Sequence, residues 1–223
     1  MGLPTLPAMA IGTLLSRTKV SNSSPAQKLL DFLSANKYVN PDEFNYSDGA
    51  VVRAEIIEMR LRDILEKRPD TSVLSLGSGL STYFQTLDTG VCHWIDVDLP
   101  DIIKIREQVF PSNDRCRNVA CDMKDLVLKD GLYTAEDGKW AVAPDLVLAE
   151  GLLMYLPKEK AKTLITSGHM IFDVLGAKRT VPRSPEQLWT YSFNEWDLKM
   201  KQKWQFDGDE RDSWLFETGA DSV

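Results

Sequence analysis

An α/β fold built on a doubly wound, mostly parallel sheet is what these 223 residues predict. Three observations lead there. From Val73 onward short apolar runs alternate with helix-like segments, the first run ends in Gly77-Ser78-Gly79, and four successive runs end in glycine or carboxylate. Such alternation builds a parallel sheet covered by helices, whose ligands gather at the C-terminal ends of the strands. The length is that of one large domain.

Two helices come first, over about Ala8–Arg17 and Pro25–Lys37. Pro25 takes a first-turn position after Ser23-Ser24, and Leu29, Leu30 and Leu33 form the apolar side. Asn40-Pro41-Asp42 and Asn45–Gly49 carry turn chemistry. A longer helix over about Ala50–Lys67 presents Ala54, Ile57, Leu61, Ile64 and Leu65 as one stripe and stops at Pro69-Asp70. Arg53 falls on the buried side of that helix. It reads either as an arginine snorkelling from a helix end or as a fixed cation for an anionic ligand group, such as a methionine carboxylate.

Beyond it the sequence predicts strand Val73–Leu76, helix Ser81–Leu87, strand Cys92–Val97, helix Pro100–Val109, strand Asn118–Cys121 and a short helix near Met123–Leu128. Strand Asp145–Ala149, helix Lys158–Thr166 and strand Met170–Val174 close the regular part. Gly176–Pro185 reads as a basic, proline-containing loop, and the tryptophan-rich Glu186–Val223 offers a strand at Lys203–Phe206. The expected organisation is a single domain over 1–223, with a helical N-terminal cap (1–70), a ligand-binding core (71–175) and a loop and C-terminal strand region (176–223).

A Gly-x-Gly turn after a buried strand lets the backbone approach a ligand with no Cβ in the way, and Ser81 or Thr82 is placed to cap the next helix. The third glycine of a pyrophosphate-binding loop is absent, because Phe84 or Gln85 stands there. Asp98 ends the second strand about 20 residues after the glycines, where a carboxylate accepts ribose hydroxyls. A nucleoside without a pyrophosphate points to S-adenosylmethionine. Asp122 would then accept from the adenine amine while Met123 packs on the ring face. Glu150, after the apolar run Leu146–Ala149, would sit at the sulfonium or amino end. The alternative for each carboxylate is a helix cap or rim ion pair, and for Asp96 that structural role is the favoured one. In a doubly wound sheet these strand ends converge on one crevice.

Composition narrows the partners. A net charge of −7 argues against a nucleic-acid binder, and there is no Asn/Asp-Pro-Pro-Tyr-type motif for seating a flipped base. Cys92, Cys116 and Cys121 are odd in number without Cys-x-x-Cys, and His93 and His169 are the only histidines, so neither a disulfide framework nor a metal site is expected. Leu3–Leu15 is apolar but carries Pro4 and Pro7, lacks a basic flank and is too short to span a bilayer. Gly2 is followed by Leu6 where myristoylation wants Ser or Thr. A cytoplasmic protein with no membrane partner is the expectation.

Three segments carry a resemblance. Val73-Leu74-Ser75-Leu76-Gly77-Ser78-Gly79-Leu80-Ser81-Thr82 resembles the "NLGAGLDT" segment of the leucine carboxyl methyltransferase family. Trp94-Ile95-Asp96-Val97-Asp98-Leu99-Pro100 resembles its "W-x-D-x-D-L-P" strand, and Ala149-Glu150-Gly151-Leu152-Leu153-Met154-Tyr155-Leu156-Pro157 its "AEGLLMYLP". The helix beginning at Arg53 is similar too, and the likeness runs from about Leu14 to Phe206. Within the family it is nearest the polyketide O-methyltransferases of the tetracenomycin type. The resemblance implies a Rossmann-like, class I S-adenosylmethionine-dependent methyltransferase acting on a small molecule. It also implies that Arg53 holds the methionine carboxylate, Gly77, Ser78 and Gly79 the backbone approach, Asp98 the ribose, Asp122 with Met123 the adenine, and Glu150 the amino acid end.

The chain departs from that pattern in three places. Ser81 replaces the aspartate of "GLDT" and Tyr83 the arginine that often follows; the stretch from Val174 to Trp189 is shorter; and the last antiparallel strand is expected to be missing after Lys203–Phe206. A missing edge strand would want a cover, for which a homo-oligomer is one means. Methyl transfer from a sulfonium to a carboxylate requires no general base, whereas a phenol, with a pKa of about 10, benefits from one. His93 lies inside a strand and His169 at the wrong end of one, which leaves Tyr155 as the best polar candidate and no base assigned. Two other classes share the sheet. A catalytically silent scaffold would bind cofactor without turnover, and a nicotinamide-dependent oxidoreductase is opposed by the absent third glycine.

Overall fold

The computed structural model describes residues 8–19, 24–40, 43, 48–165, 168–175, 200–205 and 213–218. Its helices are α1 (Ala8–Arg17), α2 (Ser24–Ala35), α3 (Asp48–Lys67), α4 (Tyr83–Leu87), α5 (Pro100–Val109) and α6 (Lys158–Leu164). The strands are β1 (Ser72–Leu76), β2 (His93–Asp98), β3 (Cys116–Ala120), β4 (Leu126–Lys129), β5 (Leu132–Ala135), β6 (Ala141–Val142), β7 (Leu146–Ala149), β8 (Met170–Leu175), β9 (Met200–Gln205) and β10 (Ser213–Thr218). Seven strands make one sheet in the order β3-β2-β1-β7-β8-β10-β9, and β4-β5-β6 make a second. The pairs β2–β3, β1–β7 and β7–β8 are parallel. The strand order reverses between β1 and β7, the switch point beside which ligands of open α/β sheets bind.

Two compact units are distinguished, the first from the described residues within Met1–Thr71 and Ser78–Ala120. Ala26, Leu29, Leu30 and Leu33 of α2 share one core cluster with Ile11 and Leu14 of α1 and Ile102, Ile105 and Val109 of α5. The periodicity of α2 therefore buries the side it predicts. On α3 the stripe Ala54, Ile57, Leu61 and Leu65 is buried, while Ile64 is half-buried. β2 and β3 run in register from Trp94↔Cys116 to Asp98↔Ala120. Asp96 is buried and pairs with Arg106 of α5, so the structural reading of Asp96 holds.

The second unit comprises Ser72–Gly77 and the described residues from Cys121 onward. β7 is buried at all four positions, as an uninterrupted apolar run covered on both faces requires. Asp145 anchors its start by accepting from the backbone N–H and hydroxyl of Ser72, at 2.8 and 2.7 Å.

Three expectations are corrected here. No helix follows β3. Asp122 closes a turn in which the Lys124 N–H donates to its carboxylate (2.9 Å) and the Asp125 N–H to its carbonyl (2.9 Å), and the chain then enters β4. β4 and β5 are a hairpin, Lys129 facing Leu132 across Asp130-Gly131, both with positive φ (52° and 79°). Asp-Gly is the residue pair a two-residue hairpin turn demands, so turn chemistry overrode the short apolar run. The second correction is at α4, which starts at Tyr83 and has Thr82 at its N-cap without a side-chain bond, so neither Ser81 nor Thr82 caps it through its hydroxyl. The third concerns the sheet edge. The last antiparallel strand is present as β10, paired with β8 from Ser213↔Leu175 to Thr218↔Met170 and with β9 on its other side. Strand-forming Trp214, Leu215 and Phe216 make that strand. The predicted loop Gly176–Pro185 lies outside the described residues, as do Trp189 and Trp196.

All three cysteines are free and buried, and burial pushes the Cys116 thiol up to about 12. No described helix is long and apolar enough to cross a membrane.

Tyr133 of β5 is buried and donates its hydroxyl to the Leu164 carbonyl at the end of α6, 2.8 Å away. Replacing Tyr133 by Phe removes one buried hydrogen bond and strands a carbonyl. The expected loss is about 1–3 kcal/mol, read as a lower urea midpoint at unchanged m-value.

Candidate functional site

Gly77 ends β1 with φ +60° and Gly79 follows with φ +54°. Both lie in the left-handed region that residues with a Cβ enter only at a cost. At Gly77 a Cβ would also meet Leu152, whose Cδ1 would be 2.8 Å away and whose Cβ and Cγ 3.3 Å. The backbone at the end of β1 is therefore bare by necessity. Next to it, the Ser78 N–H donates to the Val97 carbonyl at 3.1 Å. Ser78 is 6% exposed and its hydroxyl has no hydrogen-bond partner. A buried hydroxyl left unsatisfied costs about 1–3 kcal/mol, so a polar ligand group there would restore what the fold gives up.

Asp98 closes β2, and its two oxygens are fixed by separate amides. The Gly79 N–H donates to Oδ2 at 2.6 Å and the Leu99 N–H to Oδ1 at 2.7 Å. A carboxylate offers about four lone-pair directions, so each oxygen still has one free for a hydroxyl donor. Burial pushes the Asp98 carboxyl above the usual carboxylate range, with the Gly79 and Leu99 amides and the Arg106 charge opposing that and Asp96 adding to it.

Arg53 lies in the second turn of α3 and is only 8% exposed, which rules out a side chain snorkelled into solvent.

The remaining sequence-predicted residues belong to the second unit. Asp122 is half-buried and caps the turn into β4 with one oxygen, so its structural alternative is realised at least by that oxygen. Met123 beside it is 6% exposed. Glu150 leaves β7 half-buried, and Gly151 turns the chain with φ +62°. The Gly151 N–H donates to the carboxylate of Asp173, which is fully buried on β8.

Three residues next to these were missed. Arg106 and Asp173 are charged positions inside apolar runs, Ile102–Val109 and Met170–Leu175, and the test applied to Arg53 would have found both. Leu152 fills the space Gly77 leaves, which only the fold reveals. Of the histidines, His93 is exposed at the start of β2, and His169 lies 2.8 Å from the buried Glu217 of β10. Tyr155 is 54% exposed on a 3-10 turn over Leu153–Tyr155.

Residues 11–168 match the model of the leucine carboxyl methyltransferase family, and the chain belongs to that family. It is 30% identical over 119 residues to the tetracenomycin polyketide synthesis O-methyltransferase TcmP of Streptomyces glaucescens. That match covers 50% of this chain and 42% of the relative, so the chain spans well under two thirds of that protein's length. Among solved structures it is similar to an inferred methyltransferase from Thermobifida fusca YX, with a TM-score of 0.52 and 14% identity over 97% of this chain and 96% of that one. The fold is the Rossmann-like one of class I methyltransferases.

Gly77→Ala is expected to cost at least about 1–2 kcal/mol from the left-handed backbone alone. Adding Leu152→Ala should relieve the contact share of the loss and leave the backbone share. A double-mutant cycle in urea would then show coupling, and strict additivity would contradict the contact.

Proposed function

We propose that this leucine carboxyl methyltransferase family member is an S-adenosylmethionine-dependent O-methyltransferase acting on a carboxylate or phenolic hydroxyl of a small molecule. The observation that carries the proposal is the Asp98 carboxylate, locked by two amides beside the buried, unsatisfied Ser78 hydroxyl. Those groups fit a ligand that presents hydroxyl donors and leaves no room for a Cβ. The family match and the likeness to TcmP support the reaction class.

The assignment by residue is as follows. Asp98 accepts from the ribose hydroxyls, and Gly77, Ser78 and Gly79 give the backbone approach and one hydroxyl. Arg53 holds the methionine carboxylate, Asp122 and Met123 serve the adenine, and Glu150 the amino acid end. When bound, the cofactor supplies an electrophilic methyl group on a sulfonium. The protein then has to align the acceptor in line with it and exclude water. A carboxylate acceptor is already ionised at neutral pH and needs no base. No histidine is assigned a catalytic role.

The chain is read as one methyltransferase domain with the divisions 1–70, 71–175 and 176–223, cytoplasmic, with neither nucleic acid nor membrane as partner. The net charge of −7 and the buried free thiols support that reading.

The test is a calorimetric titration with S-adenosylhomocysteine beside Arg53→Ala and Asp98→Ala. Micromolar binding weakened about tenfold or more by each substitution is expected, since a charged hydrogen bond contributes about 1.5–3 kcal/mol. A folded wild type that does not bind would sink the enzyme reading.

A pH series adds a sign. The folded pKa of Asp98 is raised, so the fold favours its protonated form, and this group's contribution to stability is lost as pH rises above the ordinary 3.8. The ligand favours the ionised form that accepts its hydroxyls. Affinity should therefore increase as pH rises from 3.8 toward neutrality, and the Asp98→Ala variant should lose that limb of the profile.

A further inference from the structure

The groups that aim Asp98 are themselves held from behind. Arg106, on α5, is 1% exposed and spends its guanidinium on four acceptors. Its Nη1 donates to the Gly79 carbonyl at 3.1 Å and to the Ser81 carbonyl at 2.7 Å, and its Nε to Asn118 Oδ1 at 3.1 Å. Its Nη2 donates to Asp96 Oδ2. Asn118 is fixed in turn, donating to Glu107 Oε1 (2.8 Å) and to the Phe110 carbonyl (2.9 Å). Asp96 also accepts from Trp94 Nε1 at 3.1 Å.

The Gly79 peptide groups connect this cluster to the candidate site. One face of that residue is pulled toward Arg106 through its carbonyl, and the other donates its N–H to Asp98. A glycine at φ +54° has no side chain to restrict it, so its orientation must come from bonds. The planar fork supplies them from one rigid group, as a lysine ammonium cannot.

We propose that Arg106 is the positioning residue of the cofactor loop: by holding the Gly79 and Ser81 carbonyls it aims the Gly79 amide, and hence the Asp98 carboxylate, at the ribose hydroxyls. The proposal rests on the S-adenosylmethionine reading of that loop. Arg106 touches no ligand in this role. It acts through Gly79 and, at short range, through its charge, which favours the ionised Asp98.

The test compares two ligands, S-adenosylhomocysteine and its 2′,3′-dideoxyribose analogue, on the wild-type chain and Arg106→Lys. Lysine keeps a cation for Asp96 but cannot span the four acceptors. Wild type should prefer the intact ribose by about tenfold or more, and Arg106→Lys should shrink that preference to less than about threefold. A role confined to stability would weaken both ligands equally and leave the ratio unchanged, and that result overturns the proposal. If wild type binds neither ligand, the cofactor reading fails and takes this inference with it. If wild type binds both ligands equally, Asp98 does not read the ribose and the inference fails while the cofactor reading survives.

Should Arg106→Lys fail to fold, amide and guanidinium hydrogen exchange on wild type decides the matter. The Gly79 amide and the Arg106 side-chain N–H groups should open in one event, with matching protection that rises together when S-adenosylhomocysteine is added. A Gly79 amide that exchanges orders of magnitude faster than the Arg106 groups would overturn the proposal.

Discussion

The constraint on which the first unit depends is a charge pair buried out of water. Asp96 and Arg106 are each 1% exposed, and either one alone would carry a desolvation penalty of several kcal/mol. Burial pushes the Asp96 carboxyl up, while the Arg106 charge, the Trp94 indole N–H and the nearby Arg17 charge oppose it. The pair is compensated because four of the five guanidinium N–H donors find acceptors. Those acceptors include two loop carbonyls that no helix or strand would satisfy. One electrostatic obligation thus organises α5, β2, β3 and the loop after β1 together.

Asp96 and Asp98 show how a strand divides labour. They are two residues apart on β2, yet one faces a fully buried guanidinium and the other stands where the strand ends, still half-exposed. Both carboxyls are pushed up by burial, but their compensations differ in kind. Asp96 is balanced by full charges and an indole, whereas Asp98 is balanced chiefly by two backbone amides. A carboxylate held by amides keeps lone pairs for an incoming donor; one locked against a guanidinium and an indole in the core has no such access. The difference between a structural and a ligand-facing acid follows from where the strand stops.

Much of this was legible in the sequence because it rests on local rules. The alternation from Val73 onward gave the five parallel strands and the helices α4, α5 and α6, and the stripe of α3 placed Arg53 on a buried face. What escaped was of two kinds. The hairpin β4–β5 was hidden by a short apolar run, Leu126-Val127-Leu128, that periodicity cannot tell from a helix, although Asp130-Gly131 carried the correct signal. β10 was missed although Trp214, Leu215 and Phe216 carry strand propensity, because its place in the sheet comes from pairing with β8, across a separation no local pattern spans. In the candidate site, Gly77, Ser78, Gly79 and Asp98 were visible as residue types at a spacing. Arg106 was visible as a charge among the apolar positions of α5, but its role was not, since that role consists of four bonds to groups distant in the chain.

Ser81 and Tyr83 are best understood as one change. The family segment that this chain resembles carries an aspartate and often an arginine at those two positions. The space is used differently here. Tyr83 is 2% exposed, and the guanidinium carbon of Arg17, from α1, lies 3.9 Å from its ring centroid. A desolvated contact of that kind is worth about 2 kcal/mol or more. The cation near the loop thus comes from the N-terminal helix instead of from the loop itself, and its charge is felt by Asp96. Through Arg17, α1 takes part in the electrostatics around Asp96 and is more than a cover over the loop.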